Sequence, residues 1–146
     1  MKSVFALYES IIPEKLQFYF ALSRTHHGVL DMMSPVFAAL LFLGKFPEIN
    51  IIIAGLITVF SGYTTVYALN DIVGFKDDLK DIDRSTPEPQ TADLDAILIR
   101  HPLARNAINM KSASLWAGFW GLVAVTGAFY LNPVCVLIFL AGSVCE

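Results

Sequence analysis

From Ile51 to Leu69 the chain runs nineteen residues without a charged side chain. As a helix rising about 1.5 Å per residue, this run approaches the roughly 30 Å of a bilayer's hydrocarbon core, and in lipid only helices and closed barrels satisfy their own backbone. The run stops at Asn70-Asp71, where acidic residues begin. Two polar side chains at the edge of low dielectric are costly unless they are used.

Continued as a helix, Tyr63, Tyr67, Asn70, Asp71, Gly74, Asp77, Asp78 and Asp81 recur at steps of three and four and share roughly one face, with Lys76 and Lys80 close by. Several carboxylates on one face repel each other by a few tenths of a kcal/mol per pair, so such a face calls for a hard cation such as Mg2+, which can then hold a phosphate. A polar face at the end of an apolar helix suits a greasy substrate with an anionic head. The plainer alternative is that Asp71 to Asp83 is a solvated acidic loop beside a membrane helix.

The rest of the chain has the same character. Of its 146 residues 55% are hydrophobic, and the mean hydropathy of +0.60 is too high for an ordinary soluble domain of this size. The net charge of −3 gives no basic footprint for nucleic acid. Cys135 and Cys145 are ten residues apart on what reads as one helix, too far to pair with each other.

Residues 1–24 mix aromatics with charges around Pro13 and read as an interfacial segment, with Phe18, Tyr19 and Phe20 suited to the headgroup layer. Val29 to Phe46 is a first candidate span of minimal length, and Asp31 within it is either an end-of-helix residue or a pocket residue. GKFPEIN turns the chain into the second span, Ile51 to Leu69, so the pair forms a hairpin. Residues 70–111 read as an aspartate-rich loop broken by Pro87, Pro89 and Pro102.

Ala113 to Leu131 forms a third span, with Trp116, Trp120 and Tyr130 expected near its ends. Val134 to Cys145 covers only about 18 Å as a helix, so the chain reads as cut inside a fourth span and as the front half of a larger protein. Nine of the ten Lys and Arg residues fall on the side of the 70–111 loop and only Lys45 on the other, which makes that side cytoplasmic. The expected class is therefore an all-α polytopic membrane bundle of three to four transmembrane helices, multi-pass and integral to the bilayer. His26, His27 and His101 have no metal-ligand spacing with carboxylates or cysteines and are assigned to the surface or an interface.

Asn70-Asp71-Ile-Val-Gly74-Phe-Lys-Asp77-Asp78 resembles the first aspartate-rich motif, N-D-x-x-D-x-x-x-D, of the UbiA-type intramembrane prenyltransferases. Asn70, Asp71 and Asp78 match, while Gly74 replaces the central Asp. Arg100-His-Pro102-Leu103-Ala-Arg-Asn-Ala-Ile108 is similar to the family's R-P-L-x-x-G-x-I segment, with Asn106 at its glycine. The likeness runs from about Arg24 to the end and covers about half of a typical member. Asp77-Asp78-Leu-Lys-Asp81 also fits the D-D-x-x-D of soluble isoprenyl diphosphate synthases, which are not built from membrane spans.

The resemblance implies Mg2+-dependent transfer of a prenyl group from a prenyl diphosphate to an aromatic or other lipophilic acceptor. Asn70, Asp71 and Asp78 would hold the metal, with Asp77 or Asp81 replacing the lost central ligand. Arg24, Tyr67, Lys76, Lys80, Arg84 and Arg100 would contact substrate. The remainder of the polypeptide would carry a second aspartate-rich motif, so turnover is not expected of this stretch alone. The competing expectation is a noncatalytic membrane protein that keeps the prenyltransferase-like hairpin.

Asp71 and Asp78 lie two turns apart, about 10.5 Å along a helix axis. Metal is therefore expected to be held from one end, by Asn70 and Asp71 or by Asp77, Asp78 and Asp81, unless the helix breaks at Gly74. The charge bias itself predicts that single cysteines placed at Lys45 and at Pro89, in a background without Cys135 and Cys145, react with impermeant reagent from opposite sides of the membrane. Labelling of both from the same side would remove the hairpin.

Overall fold

The computed structural model describes residues 12–84 and 101–145, and within them the fold is all-helical. Five helices follow one another: α1, Glu14–Leu22; α2, Thr25–Leu43; α3, Ile49–Arg84; α4, Met110–Leu131; and α5, Pro133–Cys145. Two of them, over Ile49–Lys80 and Met110–Leu131, are long and apolar enough to cross a membrane. The first expected span falls short of this. Only Asp31–Leu43 of α2 forms an apolar stretch, because polar residues fill its opening turns.

The largest departure from expectation is at α3. Its 36 residues run unbroken through Asn70 and Gly74 to Arg84, so the first part of the expected 70–111 loop is helix. At about 1.5 Å per residue such a helix is roughly 54 Å long, well beyond a hydrocarbon core of about 30 Å. No proline interrupts the sequence from Ile49 to Arg84. Lys80 follows Asp77 at i+3 and donates to its carboxylate at 2.6 Å, a favourable order on a helix surface. Gly74 costs at most about 1 kcal/mol in a helix interior, which one turn of continued hydrogen bonding and packing can offset.

α3 and α4 form the most extensive helix pair. Small residues line the approach: Ser61, Thr65 and Ala68 are buried on α3, and Ala113, Ala117, Ala124 and Ala128 on α4. The buried hydroxyls find partners on their own helix, Ser61 on the Ile57 carbonyl at 2.6 Å and Thr65 on the Ser61 carbonyl at 2.8 Å. Large apolar side chains face outward instead, among them Leu41, Phe42, Leu115, Leu122 and Leu137. Small inside and large outside is how helices associate in lipid, and in water so much exposed apolar surface would invite aggregation. Trp120 lies midway along α4 rather than near an end, edge-on to Phe60, Trp116 and Phe119.

The C-terminal end of α1 packs into the helix bundle. Leu22 is fully buried and joins Ala68, Leu103, Ile108, Ala113 and Ala117 in one cluster, with Phe18 and Tyr19 packed against it. The Trp116 indole donates to the Ser23 hydroxyl at 2.8 Å, tying α1 to the start of α4. Arg24 takes a left-handed conformation, φ 42°, at the reversal into α2. Gly44 at φ 61° then ends α2, as glycine commonly does at a helix C-terminus. Within α2, Pro35 has no N–H to give the Asp31 carbonyl one turn back.

Among the glycines of α3 and α4 the most closely approached is Gly127, where an added Cβ would overlap the Thr58 hydroxyl. Gly127→Ala is expected to lower thermal stability in detergent by about 1–3 kcal/mol, the usual range for overpacking. The pair with Thr58→Ala is expected to recover most of it. An unchanged melting temperature in the single variant would show that the helices do not meet there.

Candidate functional site

The end of α3 brings together side chains that the sequence separates widely. Asp71 is 5% exposed, one residue past the apolar run. Arg24, about a third exposed, sets Nη2 3.9 Å from Asp71 Oδ1, an ion pair without a direct hydrogen bond between those two atoms. The same guanidinium lies 5.8 Å from the centre of the Tyr67 ring. Tyr67 stacks on Tyr63 at 6.0 Å and donates its phenol proton to Asp31 Oδ2 at 2.8 Å. Asp31 is thus half-buried and partnered across two helices.

Asp78 stands two turns beyond Asp71, yet ligand oxygens of the two carboxylates lie within 4.8 Å of each other. The expectation that an unbroken helix keeps them too far apart is wrong for this geometry. Seven residues return to the same face with a drift of only about 20°, and helix side chains lean toward the N-terminus. At Gly74 there is no side chain in the way. A Cβ built there would meet the Asp78 oxygens at 3.8 and 3.9 Å, so the Asp78 carboxylate lies back over that turn, toward Asp71.

The third member is His101, which the sequence assigned to a surface or interface. It belongs to the same group as Asp71 and Asp78, all three donor atoms falling within 4.8 Å of one another. Nδ1 of His101 comes to 3.0 Å from Asp78 Oδ2. That nitrogen is buried, and its approach is too poorly aligned to count as a hydrogen bond.

The turn from His101 to Asn109 holds the imidazole in place. Pro102, Leu103, Ala104 and Ile108 are buried beneath it. Backbone bonds from Arg105 to the His101 carbonyl (3.1 Å) and from Ala107 to the Pro102 carbonyl (2.9 Å) close the turn. Asn106 sits at φ 58°, the left-handed region where asparagine is the common substitute for glycine. Asn109 then caps α4, accepting from the Ser112 amide at 2.7 Å.

The other expected site residues are elsewhere. Asn70 is exposed. Asp77 is 80% exposed and turned toward Lys80. Lys76 is exposed on the same stretch of α3. The side chains of Asp81 and Arg84, and all of Arg100, lie outside the described residues.

Two carboxylates and one imidazole are a donor set that fits a divalent cation. Ligand atoms around one ion at about 2.1 Å sit roughly 3–4.2 Å apart, so small side-chain rotations would close the 4.8 Å group. The donor oxygens of two carboxylates lie this close together, one of them buried, and Arg24 offsets part of their charge. Compared with protein-family models, curated proteins and solved structures, the chain matches none.

Because the space at Gly74 is open at ordinary contact distance, Gly74→Ala is expected to stabilise α3 by about 0.5–1 kcal/mol and to leave cation binding unchanged. Gly74→Asp is expected to tighten Mg2+ by adding a carboxylate one turn from both Asp71 and Asp78. Metal titration and thermal unfolding of the two variants check this. Weaker Mg2+ binding by a folded Gly74→Asp protein would mean that the gap itself is needed.

Proposed function

We propose that this chain spans the bilayer as a UbiA-type intramembrane prenyltransferase segment, with the Asp71 stretch of α3 holding a divalent cation against the diphosphate of a prenyl donor. The single observation that carries the reading is the meeting of buried Asp71 with Asp78 and His101 at the end of an apolar helix. In the family that the motif resembles, the cation is Mg2+. Bound there, a cation neutralises the charge that builds on a diphosphate as its allylic C–O bond breaks.

The protein's own groups have distinct parts in this. Asp71 and Asp78 bind and orient the cation. Arg24, beside Asp71 and only partly exposed, can reach a diphosphate oxygen with a hydrogen-bonding fork. Lys76 stands exposed at the same end and adds positive charge for the anion. Tyr63 and Tyr67 line the turn where α3 becomes apolar, next to where the first carbons of a prenyl chain would enter. The apolar helix faces would shelter the tail, and the lipophilic acceptor would come from the bilayer. The loop side is cytoplasmic by the distribution of basic residues.

A noncatalytic membrane protein is the second reading, and one observation favours it. Arg24 already stands near Asp71 and compensates part of its charge without any metal.

Binding of radiolabelled geranylgeranyl diphosphate to the chain in nanodiscs, with and without Mg2+, separates the two. Retention is expected to require Mg2+ and to weaken by more than about tenfold in Asp71→Asn, since each tenfold is about 1.4 kcal/mol and a lost charged ligand exceeds that. Lys45→Gln is expected to bind as the parent does. Retention that ignores both Mg2+ and Asp71→Asn would leave the noncatalytic reading standing.

A further inference from the structure

We infer that His101 is a metal ligand, and that the Asp71, Asp78 and His101 group selects a nitrogen-accepting divalent ion such as Zn2+, Co2+ or Mn2+ over Mg2+. The inference rests on the reading of Asp71 and Asp78 as cation ligands and goes beyond it, because neither the aspartate-rich pattern nor its spacing calls for an imidazole.

Three observations lead to it. The donor atoms come from separate places, two from α3 and one from the turn before α4, and converge within 4.8 Å. His101 Nδ1 is buried and 3.0 Å from Asp78 Oδ2, yet makes no aligned hydrogen bond. A buried polar nitrogen left this way costs about 1–3 kcal/mol, a cost that coordination to a shared ion removes. Finally, Asp71 is 5% exposed, so two carboxylates whose donor oxygens lie within 4.8 Å of each other repel one another where solvent screens them little, and a shared cation relieves that repulsion.

A simple His101–Asp78 hydrogen bond is the competing account. It would align the ring N–H with a carboxylate lone pair, and the geometry at Nδ1 does not.

The choice of ion follows from ligand chemistry. Mg2+ prefers near-octahedral oxygen and keeps its waters, whereas imidazole suits Zn2+ and its first-row neighbours. Three protein ligands leave at least one position open, as in catalytic rather than structural zinc sites. At that position a water or a diphosphate oxygen can bind.

The test uses the full chain in nanodiscs, titrated with Zn2+, Co2+, Mn2+ or Mg2+ alone, with no diphosphate present. One equivalent of Zn2+ is expected to bind more tightly than Mg2+. His101→Gln is expected to weaken Zn2+ by more than about tenfold and Mg2+ by less than about threefold, because removal of a nitrogen ligand falls on the ion that prefers nitrogen. Pulsed electron paramagnetic resonance of bound Mn2+ should show imidazole 14N coupling in the parent, which requires no variant to fold, and none in His101→Gln. Thermal unfolding of the variant confirms its integrity.

Bound Mn2+ without nitrogen coupling, Zn2+ affinity unchanged by His101→Gln, or equal losses for Zn2+ and Mg2+ would each overturn the inference. These outcomes are separable from those of the proposed function. Mg2+-dependent retention of geranylgeranyl diphosphate that needs Asp71 but gives no nitrogen coupling would keep prenyl transfer and remove His101 from the metal. Nitrogen coupling without any retention of the diphosphate would keep the metal centre and remove the prenyl donor.

Discussion

The close approach of α3 and α4 is the constraint on which the rest of the structure depends. Alanine, serine, threonine and glycine line that contact, and a Cβ added at Gly127 would overlap the Thr58 side chain across it. Packing of this kind suits lipid, where burying a leucine gains little over leaving it among acyl chains and van der Waals fit decides association. It also sets what lies at one end. The start of α4 carries the turn from His101 to Asn109 with it, and the same registration brings that turn against the stretch of α3 that runs past Leu69.

The main hydrophobic cluster gathers at this end rather than midway along the spans. Leu22 from α1, Ala68 from α3, Leu103 and Ile108 from the turn, and Ala113 and Ala117 from α4 close on one another. Leu103 stands two residues from His101, and Ala68 stands three before Asp71. The polar group therefore stands beside a buried apolar cluster, the kind of support that placement of ligands requires. Arg24 stands beside the same cluster, since Leu22 and Ser23 next to it are buried.

How much of this could be seen in the sequence depended on how local each signal was. The apolar runs Ile51–Leu69 and Ala113–Leu131 identified α3 and α4 because length and absence of charge are properties of a single segment. The helix beyond Asn70 was visible as a face of carboxylates at steps of three and four, but the acidic composition of residues 70–84 also read as loop, and only the continuous backbone of α3 decides between them. Asp71 and Asp78 could be named and their meeting could not, because axial rise alone ignores the lean of Asp78 over Gly74. His101 was missed because its contact with Asp78 closes across a long stretch of chain. The one local hint was its position between Arg100 and Pro102, where the resembling segment has none.

Gly74 and Asn106 show how departures from a motif can be read once the backbone is known. Asn106 stands where the R-P-L-like segment has glycine, and its φ of 58° is a conformation that asparagine tolerates better than other side chains, so the turn survives the change. Gly74 stands where a carboxylate is usual, and the helix there is regular, so the residue supplies no special φ. What it supplies is empty volume. Into that volume the Asp78 carboxylate leans, and His101 meets Asp78 from the other chain segment, so that an imidazole joins the group in which the central aspartate is lacking. With an ion held as inferred, the donor set would carry a nitrogen where the resembling motif has a central oxygen ligand, which changes the ion it favours. On the proposed reading Gly74 and His101 therefore serve one donor set, the first through the space that it leaves for Asp78 and the second through its nitrogen.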